Sequence, residues 1–162
     1  MDVPIEKRFR ILSQIHRASH FDWILAVKEI CPEVEELKLV QKFWEVVAYE
    51  TAKNYLKYID INKPLPKQIA ENFVFSSICM GEDAELIEGK DENECFARHN
   101  SCPWYDWHKK LGKLEFDQKG CDMWLNTLIK VINEELGTNL KALTLKSLPN
   151  GDDVCLRRFW VE

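Results

Sequence analysis

The chain of 162 residues contains few glycines, and all six are isolated from one another. They form neither the G-x-G-x-x-G fingerprint of dinucleotide-binding folds nor a phosphate-binding loop. The G-x-S-x-G elbow of serine hydrolases is also missing from the sequence. These absences disfavour a self-contained nicotinamide or flavin reductase and a serine hydrolase.

Long apolar runs and an excess of basic residues are likewise missing. No segment approaches the roughly 18 apolar residues of a membrane span, and the N-terminal MDVPIEKRFRIL lacks the apolar stretch of a signal peptide. The net charge is -5, and the lysines are spread along the chain. We therefore expect a cytoplasmic protein with neither nucleic acid nor membrane as a partner.

Six cysteines are present, but no two are spaced as C-x-x-C. A chain of this size can build a core without disulfides, so we expect free thiols. Cys31 and Cys79 are interpreted as buried small apolar residues. The remaining four call for a further explanation: Cys95, Cys102, Cys121 and Cys155.

The first half of the chain has helical periodicity. Apolar residues at spacings of three and four predict a helix over 4–19, and a shorter helix ends at Cys31. A long helix is predicted over 33–58, followed by another over 67–80. The polar and proline-rich NKPLP separates the last two.

The second half predicts two hairpins with a helix between them. The strands AELIE and ECFAR are joined by GKDEN, and LKALTLKS pairs with DVCLRRFWV around LPNGD. The helix GCDMWLNTLIKVINEELG is expected to begin at Cys121 or Asp122 and to stop at Gly137. The sequence therefore predicts a single α+β domain over 1–162, in which a helical part (1–81) packs on a small antiparallel sheet (84–162).

A zinc site is one interpretation of the cysteines. Zinc needs three or four Cys, His or carboxylate ligands, and the candidates are Cys102, Cys121 and Cys155, with His99 as a fourth. Cys95 and His108 are substitutes for His99. The other interpretation is that these thiols belong to the core and that His99 is a hydrogen-bonded strand residue.

Catalysis by a thiol is a third interpretation. A cysteine at the start of a helix has its pKa lowered by the positive end of the helix dipole, which singles out Cys121. His99 or His108 could then act as the base.

The stretch HNSCPWYDW, residues 99–107, is predicted as an aromatic loop at the corner after the first hairpin. Its aromatic side chains, together with one from the next helix, can line an apolar ligand pocket or fold over the core. These residues are Trp104, Tyr105, Trp107 and Trp124. Arg157 and Arg158 lie on opposite faces of the last strand, so only one can point inward and bind a carboxylate.

The C-terminal half, about residues 84–160, resembles two related families. A cysteine before a helix, then a hairpin turn "GD" followed by a cysteine, is similar to the 4-vinyl-reductase-type small-molecule-binding domain and the L-2-amino-thiazoline-4-carboxylic acid hydrolase family. In this sequence the positions are Cys121, Gly151-Asp152 and Cys155. The resemblance implies a fold like the small TRAPP trafficking subunits, often dimeric, with a ligand site whose cysteines can hold a metal.

Three functions are consistent with these observations. The first is a small-molecule-binding domain for an apolar or aromatic ligand, with a zinc site. The second is a ring-opening hydrolase that uses Cys121 or metal-bound water, with His99 moving protons. The third is a dimeric interaction module whose long helix presents Val40 and Trp44 to a second copy.

Overall fold

The computed structural model describes residues 2–162 and contains five α-helices and four β-strands within them. The helices are α1 (Ile5–Ile30), α2 (Glu36–Leu56), α3 (Leu65–Cys79), α4 (Pro103–Leu111) and α5 (Leu114–Leu136). The strands are β1 (Asp83–Glu88), β2 (Glu94–Ser101), β3 (Lys141–Lys146) and β4 (Cys155–Trp160). Over residues 2–162, the helices are all too short or too polar to cross a bilayer.

The strands form one antiparallel sheet in the order β1-β2-β4-β3. The predicted α+β class and the two hairpins are confirmed. The period-two alternation of the sequence places Cys95, Ala97 and His99 on one face of β2, and the structure shows that this face is buried. On β4 the buried face carries Cys155, Arg157 and Phe159.

The core lies between this buried face and helices α3 and α5. Phe159 and Ile69 are fully buried there, and Leu128 and Ile132 of α5 pack in the same cluster. Burial of these apolar side chains is the main stabilising contribution to the fold.

Helix α1 is continuous, so the predicted division into two helices is wrong. No proline or glycine interrupts residues 5–30, and nothing in the backbone therefore ends the helix near residue 20. The apolar stripe of its first half is largely exposed: Leu12 is 63% and Ile15 is 55% accessible. The buried residues of α1 lie in its second half and include His20 and Phe21.

Helix α2 packs along α5, with Gly120 at the point of contact. A Cβ atom at Gly120 would lie 2.6 Å from Cδ1 of Trp44, so only glycine allows this close approach. Val40 is 1% exposed in the same interface. Of the predicted dimer face, Val40 is therefore covered by α5 within the same chain, whereas Trp44 is half-buried. Dimerisation stays a prediction from the sequence.

The predicted aromatic loop is mostly helix α4. Proline at the first helical position is favourable because that residue needs no hydrogen-bond donor, and Pro103 takes this place. Gly112 ends the helix in the left-handed conformation, with φ of 68°. The predicted start of the next helix at Cys121 or Asp122 is wrong, because α5 begins at Leu114 and about two helical turns precede Cys121.

Candidate functional site

A cavity of about 350 Å³ lies between α2, α5 and the buried face of the sheet. All five helices and the strands β2 and β4 contribute side chains to its lining. The volume lies at the lower end of the range of small-molecule sites. Its aromatic wall consists of Phe43, Trp44, Phe73, Trp104, Tyr105 and Trp124.

Polar side chains line the part of the cavity next to the sheet. They are Ser77, Glu82, His99, Asp117, Gln118 and Arg157. Most of the remaining lining is apolar, with His16, Thr51 and Ser76 as further polar residues. Because Ser77, Glu82 and Arg157 all contact His99, the cavity has one polar end. That division resembles the usual layout of ligand sites, where a few polar groups fix orientation.

His99 is held at the polar end by two partners. Its Nε2 lies 3.0 Å from Oε2 of Glu82 and 2.9 Å from the hydroxyl of Ser77. The ring also meets the Phe73 ring edge-on, with centroids 5.1 Å apart. With 3% of its surface exposed, His99 is fixed in position by its place on β2, by Ser77 of α3 and by Glu82, which directly precedes β1.

Asp117 and His108 form a second buried polar pair beside the cavity. Oδ1 of Asp117 lies 3.6 Å from Nδ1 of His108, and Nδ1 donates a hydrogen bond to the carbonyl of Trp104 at 3.0 Å. Burial raises the pKa of Asp117, while nearby His108 and Arg157 oppose that change. The pair positions α4 against α5 at the cavity wall.

The structure brings all four predicted metal ligands to this cavity. Cys102, Cys121, Cys155 and His99 all line it. Within residues 2–162, however, no three His, Cys, Asp or Glu side chains are grouped closely enough to hold a metal ion. Zinc binding therefore stays a prediction from the sequence.

Two thiols of the cavity, those of Cys102 and Cys121, are poor nucleophiles. Burial raises the pKa of Cys121, and burial together with nearby Glu82 raises the pKa of Cys102. Since Cys121 lies inside α5, the predicted effect of a helix start on its pKa is wrong. The reactive species is the thiolate, so this environment does not favour Cys121 as the nucleophile of a hydrolase.

We expect iodoacetamide at pH 8 to alkylate Cys121 at least about tenfold more slowly than Cys79, because a pKa raised by one unit lowers the thiolate fraction about tenfold. Cys79 is exposed at the end of α3. Mass spectrometry of peptides from timed samples measures both rates. In denaturant the two alkylation rates should become similar. Labelling of Cys121 as fast as that of Cys79 in the folded protein would contradict the raised pKa of Cys121.

The aromatic residues predicted for a pocket are divided between two places. Trp104, Tyr105 and Trp124 line the cavity, but Trp107 does not belong to its lining. Trp107 stacks on Phe21 of α1, with centroids 5.7 Å and planes 12° apart. Arg157 points inward to the cavity, whereas Arg158 pairs with Glu94 on the other face of the sheet.

Several cavity residues were not predicted from the sequence. Glu82 follows α3, Asp117 lies in the first turn of α5, and Phe73 projects from α3. A carboxylate in the first turn of a helix is common on surfaces, so Asp117 carried no distinguishing signal. Only the packing of α4 on α5 makes it a buried residue.

The arrangement of long helices on one face of a four-stranded antiparallel sheet defines the fold, and a solved structure shares it. A trafficking protein particle complex subunit 3 from Naegleria fowleri, covalently bound to palmitic acid, is 15% identical, with a TM-score of 0.57 over 94% of this chain and 96% of that chain. An H-NOX protein from S. oneidensis in the Fe(II)NO ligation state is 12% identical, with a TM-score of 0.46 over 86% of this chain and 72% of that chain. The trafficking subunit confirms the predicted fold, and at this identity it shows the fold alone.

No protein-family model matches the chain, and no curated protein matches it significantly. The resemblance to the 4-vinyl-reductase-type domain and the thiazoline-carboxylic acid hydrolases is therefore not confirmed.

Proposed function

We propose that this protein binds a small, largely apolar molecule in the cavity between α2, α5 and the sheet. The observation that carries the proposal is the cavity itself, since a folded domain of this size ordinarily fills its interior to crystal-like density. Its walls are mainly aromatic, and its polar groups gather at one end. Such a site favours a ligand with an apolar body and one polar group.

The volume sets the size of the ligand. An apolar cavity of about 150 Å³ accommodates benzene, and this cavity measures about 350 Å³. A molecule of roughly two fused rings therefore fits it. For such a ligand we expect a Kd of roughly 0.01–1 mM, from the usual free energy of binding per heavy atom.

The trafficking subunit of the same fold carries palmitic acid as a covalent adduct. For this chain we propose non-covalent binding, because burial raises the pKa of Cys102 and of Cys121 and keeps both thiols protonated. The resemblance to a small-molecule-binding domain supports ligand binding as the function.

Calorimetric titration with 2-naphthalenemethanol tests the proposal. We expect one saturable site per chain in the unmodified protein. Val47 lines the cavity, whereas the preceding residue, Val46, is 54% exposed. Val47→Trp should fill the cavity and weaken binding at least about tenfold, because the ligand loses its space.

Val46→Trp is the matched control, since it adds the same side chain to the solvent side of the same helix turn. It should leave the Kd within about threefold, and circular dichroism should show both variants folded. Absence of saturable binding, or equal binding by both variants, would reject the cavity as a ligand site.

A further inference from the structure

Arg157 is a buried cation that faces the cavity. Only 5% of its surface is exposed, and it projects from the middle of β4 toward the helices. An arginine side chain stays charged under all ordinary conditions. Burying such a charge costs several kcal/mol unless an anion or a full set of hydrogen bonds compensates it.

The protein itself satisfies little of this guanidinium. Its one hydrogen bond within residues 2–162 is long, with 3.5 Å between Nη1 and Nδ1 of His99. The face of Phe73 lies 5.6 Å from the guanidinium carbon and adds a cation–π contact. A guanidinium has five N–H donors, so most of them are left without a protein acceptor.

Arg158, the next residue of the same strand, has a carboxylate as its hydrogen-bond partner. Its Nε donates to Oε1 of Glu94 at 2.6 Å, and its Nη2 lies 2.5 Å from the same oxygen. No carboxylate of residues 2–162 comes within 4.0 Å of Arg157 in this way. The contrast singles out Arg157 as the cation without a partner.

The two carboxylates of the cavity lie in the surroundings of Arg157, but neither comes within 4.0 Å of the guanidinium. Glu82 accepts from Nε2 of His99, and Oδ1 of Asp117 lies 3.6 Å from His108, while its Oδ2 has no hydrogen-bond partner among residues 2–162. With its Nε2 proton directed at Glu82, the neutral His99 ring offers Nδ1 as an acceptor, which matches its contact with Arg157. His99 thus holds Glu82 and leaves the guanidinium open toward the cavity.

We propose that the ligand carries a carboxylate group and that Arg157 binds this group at the polar end of the cavity. The carboxylate would accept the unused N–H donors, two of which can be parallel. The apolar body of the ligand would then lie against Phe73 and Trp124, whose rings line the adjoining wall. This inference rests on the proposed function and specifies the chemical class of its ligand.

A matched pair of ligands tests the inference. 2-Naphthoate and 2-naphthalenemethanol share the same two-ring body and differ in the anionic group. We expect the unmodified protein to bind 2-naphthoate at least about tenfold more tightly, since hydrogen bonds between charged partners are about twice as strong as neutral ones. Calorimetry at pH 7.5 measures both affinities.

Three arginine variants complete the experiment. Arg157→Met replaces the cation with an unbranched apolar side chain and should weaken 2-naphthoate binding at least about tenfold, with the alcohol affected less than about threefold. Arg158→Met removes the neighbouring cation on the other face and should leave both affinities unchanged. Arg157→Lys keeps the charge without the planar fork and should bind 2-naphthoate with intermediate affinity.

Thermal unfolding separates binding from a purely structural role. If Arg157 lacks a partner in the free protein, Arg157→Met should keep or raise the Tm, whereas loss of a structural ion pair would lower it. Equal affinity for the two ligands, or an unchanged 2-naphthoate affinity in Arg157→Met, would overturn the inference. Failure of the alcohol to bind would instead reject the proposed function.

Discussion

Phe159→Ala is expected to lower the free energy of unfolding by about 4 kcal/mol, the usual cost of deleting a buried aromatic ring. Phe159 is fully buried on β4 and packs in the cluster that joins the sheet to α3 and α5. Its ring centroid lies 5.9 Å from that of Phe73. The loss combines the removed apolar contacts with the cavity that the surrounding side chains cannot close. Urea unfolding followed by circular dichroism measures it.

Two further variants keep this prediction testable, because a loss of this size can unfold a domain of ordinary stability. Phe159→Leu retains most of the volume and should cost less than about 2 kcal/mol. Phe75→Ala removes the same ring from the solvent side of α3, where it is 69% exposed, and should change stability by no more than about 0.5 kcal/mol. Equal losses for Phe159→Ala and Phe75→Ala would show that Phe159 is not part of the core.

The second large effect is expected on acidification, and it comes from His20. This ring is 4% exposed, and neither of its nitrogens has a hydrogen-bond partner among residues 2–162. Burial lowers the pKa of His20 from 6.5 to about 4, with smaller effects from His108 and His16. Because the unfolded chain binds the proton more readily, stability is fully present above about pH 6.5 and is lost as the pH falls toward 4.

The expected loss between pH 6.5 and pH 4 is as much as about 3 kcal/mol, since each unit of pKa difference contributes about 1.36 kcal/mol. His20→Phe tests this attribution. Phenylalanine suits the surrounding rings of Phe21, Phe43 and Trp104 and cannot take up a proton. The variant should therefore show a flatter dependence of the unfolding free energy on pH over this range.

His16→Gln is the control for His20→Phe, because His16 is exposed one turn earlier on the same helix. It should keep most of the pH dependence of the unmodified protein, because His16 is the smallest of the three causes that lower the pKa of His20. If His20→Phe lost stability on acidification as steeply as the unmodified protein, the effect would belong to other titratable groups.

Local sequence patterns predicted those features of the helices and strands that depend on neighbouring residues in the chain. The alternation of β2 placed Cys95, Ala97 and His99 on the buried face, and the glycine after α5 marked its end. The helix over α1 was divided wrongly, although no breaker separates its halves. Its apolar stripe, led by Leu12 and Ile15, suggested a buried face where the structure has an exposed one, because periodicity shows amphipathicity and not what covers the apolar side.

The stretch HNSCPWYDW was the main error, since its aromatic density suggested a loop. Pro103 at the first helical position and Gly112 at the end were available signals for α4. Missing this helix also misplaced the start of α5, and with it the environment of Cys121. One wrong boundary therefore produced a wrong prediction of chemical reactivity.

The cavity could not be assembled from the sequence, because its lining comes from helices and strands far apart in the chain. The predicted residues Cys102, Cys121 and Cys155 do meet there. Glu82 and Asp117 gain their roles only from tertiary burial, which leaves no local pattern. Strand alternation predicted that one of Arg157 and Arg158 points inward, but it did not decide which one.

Three of the six tryptophans, Trp44, Trp104 and Trp124, line the cavity. Indole emission depends on the polarity and mobility of its immediate surroundings. A molecule that enters the cavity therefore changes the light emitted by half of the tryptophans in the chain. Intrinsic tryptophan fluorescence therefore reports whether the cavity is occupied, and compound collections can be screened against the protein without a label.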